Sequence, residues 1–143
     1  NMSKNMILYH HERIDGSGYP LKATDIPLEC RIIQVCDVFD EMICGIWYKK
    51  VKVYEAVEYL KSFKNIKFRD KIVNTFLEFT AVYPVGTKIV TNEGETGIVI
   101  RQNKEFPDRP VICISKDKDG NKVDDVIKDL VKIHHIFIEK VID

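Results

Sequence analysis

Residues 25–45 read DIPLECRIIQVCDVFDEMICG, and within them Ile32, Val35, Cys36, Phe39, Met42 and Ile43 recur at intervals of three and four. That is the period of one face of an α-helix. Pro27 suits a first-turn position, where its missing N–H is no loss, and Gly45 marks the end, so a helix is predicted from Asp25 to near Gly45. Upstream, residues 2–11 read as the end of another helix. Downstream, Val53, Ala56, Val57 and Leu60 predict a helix at about 53–64. Phe68, Ile72, Val73, Phe76 and Leu77 predict one at about 68–79, with Asp70 in its first turn, where the helix dipole favours an anion. After Tyr83-Pro84 the pattern changes to period two with turn dipeptides: TKIVT, Glu93-Gly94, TGIVIRQ, VICISK, a DGN turn and a last apolar run near 133–141. The expected fold class is α+β. Residues 1–82 form a helical bundle segment of about four helices, and residues 83–143 a small antiparallel β-barrel, or tight sandwich, of about five strands.

Composition bounds the chemistry. A chain of 143 residues with 45% apolar content is long enough for a real core, since folding at this length hides about two-thirds of the unfolded surface. Lys plus Arg total 22 and Asp plus Glu total 22. Zero net charge leaves no polybasic field for nucleic acid or an anionic membrane. Nor does charge separate the halves: residues 1–82 carry 12 basic and 11 acidic groups, residues 83–143 carry 10 and 11. No apolar run approaches the roughly 18 residues of a membrane span, and the first residues lack a signal peptide's apolar stretch, so the protein reads as soluble. The sequence begins with Asn. It reads as the trimmed tail of something longer, or as a start at Met2 behind a tag remnant. Cys30, Cys36, Cys44 and Cys113 form no C-x-x-C pair and are too sparse for a stapled scaffold, so a cytoplasmic, reducing compartment is expected. Cys36 and Cys44 are read as small core hydrophobes.

The stretch that carries chemistry is His10-His11-Glu12-Arg13-Ile14-Asp15-Gly16-Ser17-Gly18-Tyr19-Pro20, two adjacent imidazoles at a helix end running into a glycine-loosened loop. Adjacent helical residues point about 100° apart, so the pair would not easily chelate one ion but could serve two ions of a close pair. Asp37 is the natural third ligand, because it lies at the margin of the apolar stripe, where an unpaired carboxylate is costly. The alternative reading is that the histidines cap the first helix and Asp37 is a partly exposed surface acid. Glu12 either orients an imidazole or is a solvated acid.

HHERIDGSGYP closely resembles the signature of the HD-GYP family, bacterial metal-dependent phosphodiesterases that hydrolyse cyclic di-GMP. The resemblance continues through RIIQVCDVFDEM, with Asp40 three residues beyond Asp37, and covers roughly residues 5–80. Residues 1–82 would then be the C-terminal part of such a domain, and the β segment from Tyr-Pro-Val-Gly-Thr is similar to an extension found on some members. The resemblance implies two or three metal ions, iron or manganese, that activate a water for in-line attack on the phosphodiester, with His10, His11 and Asp37 as metal ligands. It places Lys49 toward the substrate phosphate, against the alternative that the Lys49-Lys50-Val51-Lys52 run is a solvated surface; Tyr19 offers an aromatic face to a base or packs on its own domain as a turn tyrosine. The resemblance also gives the loop of Gly16, Gly18, Tyr19 and Pro20 a role in contacting a partner, a diguanylate cyclase (GGDEF-type) domain, and allows a homodimer.

The sequence departs from that family in two places. No His-Asp dipeptide occurs, since the four histidines are followed by His, Glu, His and Ile. Three ligands are too few for a multinuclear site, so the fragment alone is expected to bind metal weakly and hydrolyse nothing quickly. Where the family shows Arg-Pro-Tyr, this chain has Ile46-Trp47-Tyr48, which removes a planar donor fork suited to phosphate. The leading expectation is the C-terminal portion of a cyclic di-GMP phosphodiesterase with an incomplete active site. The competing one is a non-catalytic interaction module docking through the Gly-Tyr-Pro loop and the β domain. A small-ligand or nucleic-acid role for the β domain is disfavoured by neutral charge. His134 and His135 sit in an apparent strand, where their rings would point to opposite faces, one buried and one exposed.

Overall fold

A computed structural model describes residues 2–46 and 49–142. It divides into two compact units, Asn1–Phe79 and Thr80–Asp143. The first holds α1 (Met2–Tyr9), α2 (Leu28–Cys44), α3 (Val53–Ser62) and α4 (Asp70–Glu78). The second holds β1 (Lys88–Thr91), β2 (Thr96–Arg101), β3 (Val111–Lys116), β4 (Lys122–Asp129) and β5 (Ile138–Ile142). The fold is α+β. No helix is long and apolar enough to cross a membrane among the described residues.

In the helical unit, α3 buries Ala56, Val57 and Leu60 and α4 buries Val73 and Leu77, the spacing expected of one face. Glu55 at the third position of α3 accepts the Lys52 backbone N–H at 2.8 Å, satisfying a donor that the helix start leaves open. α2 begins at Leu28 rather than Asp25, because Pro27 takes the capping position with an extended ψ of 149°. It ends on Gly45 in the left-handed region, φ 73°.

The face that α2 buries differs from the expected stripe. Cys30, Gln34, Val35 and Val38 are buried, while Ile32 is 46% exposed and Cys36 and Cys44 are exposed. Ile32 and Cys36 point instead into an open groove shared with Ile72, Phe76 and Phe79 of and beside α4, and the buried thiol is Cys30. Trp47 and Tyr48, part of the second departure noted above, lie outside the described residues.

The β unit is an open antiparallel sheet in the order β4-β3-β2-β1-β5, not a closed barrel. One face carries the core: Ile89, Val99, Ile112, Ile114 and Ile138 from the strands, with Leu130 and Ile136 from the segment between β4 and β5. That segment packs with the strand core instead of adding a strand. The Arg109 guanidinium donates to the carbonyls of Leu130, His134 and Ile136 at 3.2, 3.2 and 3.3 Å, holding residues 130–136 as turns across the face. His134 and His135 are therefore both exposed in a turn, not alternating on a strand, and the last strand begins only at Ile138.

Candidate metal centre

α1 ends at Tyr9, and His10 and His11 follow directly. His10 Nδ1 lies 2.7 Å from the Ile7 carbonyl. A carbonyl only accepts, so Nδ1 is the donor here, and in the neutral ring this tautomer has its lone pair on Nε2. His10 caps its helix, as the alternative reading had it for both histidines, and the same bond prepares the other nitrogen for a ligand role, the arrangement usual in metal-bound histidines. The His11 ring lies 3.9 Å from that of His10, centroid to centroid, tilted by 39°.

Asp37 comes from the middle of α2. Its Oδ2 is 4.0 Å from His11 Nδ1, too long for a hydrogen bond. Burial, reinforced by the neighbouring His10, lowers the His11 pKa against the opposing pull of Asp37 and Glu41. The imidazole is thereby biased toward its neutral, ligand-competent form, and the contact is not a salt bridge in that form. Asp37 Oδ2 is buried without a hydrogen-bond partner among the described residues. One ligand atom from each of His10, His11 and Asp37 lies within 4.8 Å of the others, a span that one divalent ion or a close pair of ions can bridge. An orphaned carboxylate oxygen facing two imidazoles is costly by itself and fits a hard or borderline cation.

Gln34 links the two elements that carry these ligands. It is 1% exposed, and its Nε2 donates to the Tyr9 carbonyl at 2.9 Å, tying α2 to the end of α1 one turn before Asp37. An uncharged amide inside the apolar run from Ile32 to Val35 was the available signal for it.

Glu12 neither orients an imidazole nor meets solvent. It is fully buried, and its two carboxylate oxygens accept the backbone N–H groups of Leu21 at 2.5 Å and Ala23 at 2.9 Å. The carboxylate closes the loop like a clasp. Gly18 packs so tightly inside it that a Cβ would sit 2.4–2.5 Å from backbone atoms of His11, Glu12 and Arg13. Gly16 turns the chain at φ 76°, its N–H donating to the Arg13 carbonyl. The Tyr19–Pro20 peptide is cis, and the Tyr19 ring stacks on His11 at 4.6 Å while remaining 59% exposed. Ser17 donates through its N–H and hydroxyl to Asp15 Oδ1, which holds the Asp15 pKa below its ordinary value.

Lys49 is exposed and lines a separate cavity of about 350 Å³ with Arg13, Val38, Glu41, Met42, Val51 and Tyr59. Asp40, the next acid after Asp37, is exposed and, among the described residues, accepts a single long contact, from the Cys44 thiol at 3.5 Å.

Residues 3–70 match the HD domain family, and residues 89–143 match the family described as the KOW domain associated with HD domain. A cyclic di-GMP phosphodiesterase of Pseudomonas aeruginosa is 35% identical over 102 residues, 69% of this chain and 24% of that protein. A cyclic di-GMP phosphodiesterase response regulator of Xanthomonas campestris is 42% identical over 73 residues, 49% of this chain and 19% of its own length. The helical unit belongs to the HD-GYP group of HD domains. A 3'3'-cGAMP-specific phosphodiesterase of Vibrio cholerae is also similar, 39% identical over 80 residues, 54% of this chain and 15% of that protein. The chain spans about a quarter or less of the length of the curated relatives it matches. No solved structure matches the chain significantly.

Proposed function

We propose that this HD-GYP chain is the C-terminal portion of a metal-dependent phosphodiesterase that hydrolyses cyclic di-GMP in the cytoplasm. The observation that carries the reading is the buried, unpartnered Oδ2 of Asp37 facing His10 and His11. Iron or manganese held by these three side chains would supply Lewis-acid polarisation of the phosphodiester and an activated water at neutral pH. The residues of the chain do the rest. His10 holds its Nε2 lone pair outward through the bond to Ile7, and Asp37 brings a negative charge that favours a cation. Gln34 keeps α1 and α2 in register around the site. Lys49 offers a cation to a phosphate, and Tyr19 an exposed aromatic face to a base.

With three protein donors and no His-Asp dipeptide, the site is incomplete in this reading, and further ligands come from residues outside the set. The chain alone then binds metal weakly and turns over little. A second reading is favoured by the loop itself: Tyr19 at 59% and Leu21 at 53% exposure project from a segment pinned by Glu12, a rigid patch for docking a diguanylate cyclase (GGDEF-type) domain or a second copy.

The test is Mn²⁺ binding to the full chain by calorimetry, followed by cyclic di-GMP hydrolysis in the longer protein that this reading implies. Asp37→Asn is expected to lower Mn²⁺ affinity at least about tenfold with helicity unchanged. Equal affinity in the folded variant would return Asp37 to a structural role and remove the metal centre.

A further inference from the structure

The cavity beside the metal centre holds charges of both signs. Glu41 lies one helical turn beyond Asp37 on α2, hence on the same face. Its carboxylate is close enough to His11 to act on that imidazole electrostatically. It shares the cavity of about 350 Å³ with Arg13 and Lys49, while Val38, Met42, Val51 and Tyr59 supply apolar wall. Among the described residues the Glu41 carboxylate makes no hydrogen bond or ion pair, although two cations line the same space. Arg13 is anchored: its guanidinium donates to the carbonyls of His10 and Glu12 at 3.1 and 2.8 Å and sits over the Phe68 ring. A carboxylate and cations arranged around a void, and not cancelled against each other, suit a ligand whose one edge presents an acceptor beside donors.

Guanine has that edge. Its O6 accepts, while N1–H and the N2 amino group beside it donate. A cation on O6 and a carboxylate on N1–H and N2–H satisfy it completely. Adenine presents the reverse order, an N6 amino donor beside an N1 acceptor, so the cation would face a donor and the carboxylate a lone pair. Each mismatch leaves a desolvated charge unpaired, the situation in which a polar site discriminates most strongly. The apolar walls accept the flat faces of the base, and the cavity size falls within the lower range of small-molecule sites.

We propose that this cavity is a base-recognition subsite in which Glu41, with Arg13, selects guanine over adenine, while Lys49 stays with the phosphate. The proposal rests on the cyclic-dinucleotide reading above and adds to it the residue that sets nucleotide specificity.

The experiment measures binding of cyclic di-GMP and cyclic di-AMP to the full chain in the presence of Mn²⁺, by calorimetry or competition. The wild-type chain is expected to prefer cyclic di-GMP by at least about tenfold. In Glu41→Gln and Glu41→Ala that preference is expected to fall below about threefold, with secondary structure retained, because the amide can turn either edge to the base and the methyl reads neither. Lys49→Gln, at the phosphate, is expected to weaken binding of both dinucleotides alike and leave the preference unchanged. No preference in the wild type, or a preference that survives in a folded Glu41 variant, overturns the specificity role and leaves the phosphodiesterase reading standing. Metal binding without binding of either dinucleotide removes the subsite but keeps the metal centre. Binding of neither metal nor dinucleotide removes both.

Discussion

Glu12 is a carboxylate sealed from solvent whose two oxygens are both occupied by backbone N–H groups nine and eleven residues further on. Such bonds to a charged acceptor are among the stronger ones, and losing them leaves buried donors unmet. Glu12→Gln keeps one acceptor but turns an amino group toward the other N–H. It is expected to cost about 1–3 kcal/mol, and a domain of this size loses about 4–8 °C of melting temperature per kcal/mol. Thermal unfolding followed by circular dichroism measures it, and an unshifted midpoint would show that the clasp contributes no stability. The role of Glu12 was not legible beforehand, because its partners are backbone groups of a loop whose path only the folded chain defines. His10, His11 and Asp37 were legible as a set, being the residue types that ligate metals at positions a motif could connect. Asp40 and Glu41 carried no comparable signal: one is exposed and the other is a charge beside an apolar stripe.

At the scale of elements, the helices could be placed from their period, whereas the phase of α2 could not. Its apolar residues cover more than one face, so periodicity alone could not choose between the stripe through Ile32 and Cys36 and the one through Gln34 and Val38. Packing chose the latter. The amide of Gln34 adds a second donor, at 2.9 Å, to a helix-end carbonyl that already accepts the Glu12 N–H at 3.0 Å, while Phe39 meets the edge of Phe76 at 5.0 Å. Gln34→Leu preserves volume but removes the bond between the two helices, leaving the Tyr9 carbonyl with the Glu12 N–H, for an expected loss of about 0.5–1.5 kcal/mol. Because Gln34 holds the histidine-bearing helix end against the helix of Asp37, Mn²⁺ affinity is expected to fall as well, which calorimetry at a temperature where the variant stays folded would detect. A destabilised variant with wild-type affinity would make Gln34 a fold residue only.

Across the whole molecule, each unit carries its own buried core, and that of the β unit lies wholly within residues 80–143. The number of strands was legible from alternation and turn dipeptides; their failure to close was not, because those signals count strands without saying whether the outer two meet. Residues 80–143 expressed alone are expected to melt cooperatively. Asp117 accepts the backbone N–H groups of Asp119 and Asn121 in the β3–β4 turn. Chiefly through the Asn121 N–H, its pKa lies below the ordinary 3.8. Its contribution is therefore complete above that value and is lost as pH falls through the lower folded one. The melting midpoint of residues 80–143 should drop more steeply below pH 3.8 in the native sequence than in Asp117→Asn, and parallel curves would deny the turn its role.

The open order of the sheet leaves β4 as a border whose side chains are largely in solvent, among them Lys122, Asp124 and Asp125. Charge along such a border discourages one molecule from zipping onto the next. Replacing those acids with branched aliphatics would disturb few core contacts, yet would invite ribbon-like stacking between molecules. Their value to the protein is thus collective, felt in a crowd of copies more than in any single one.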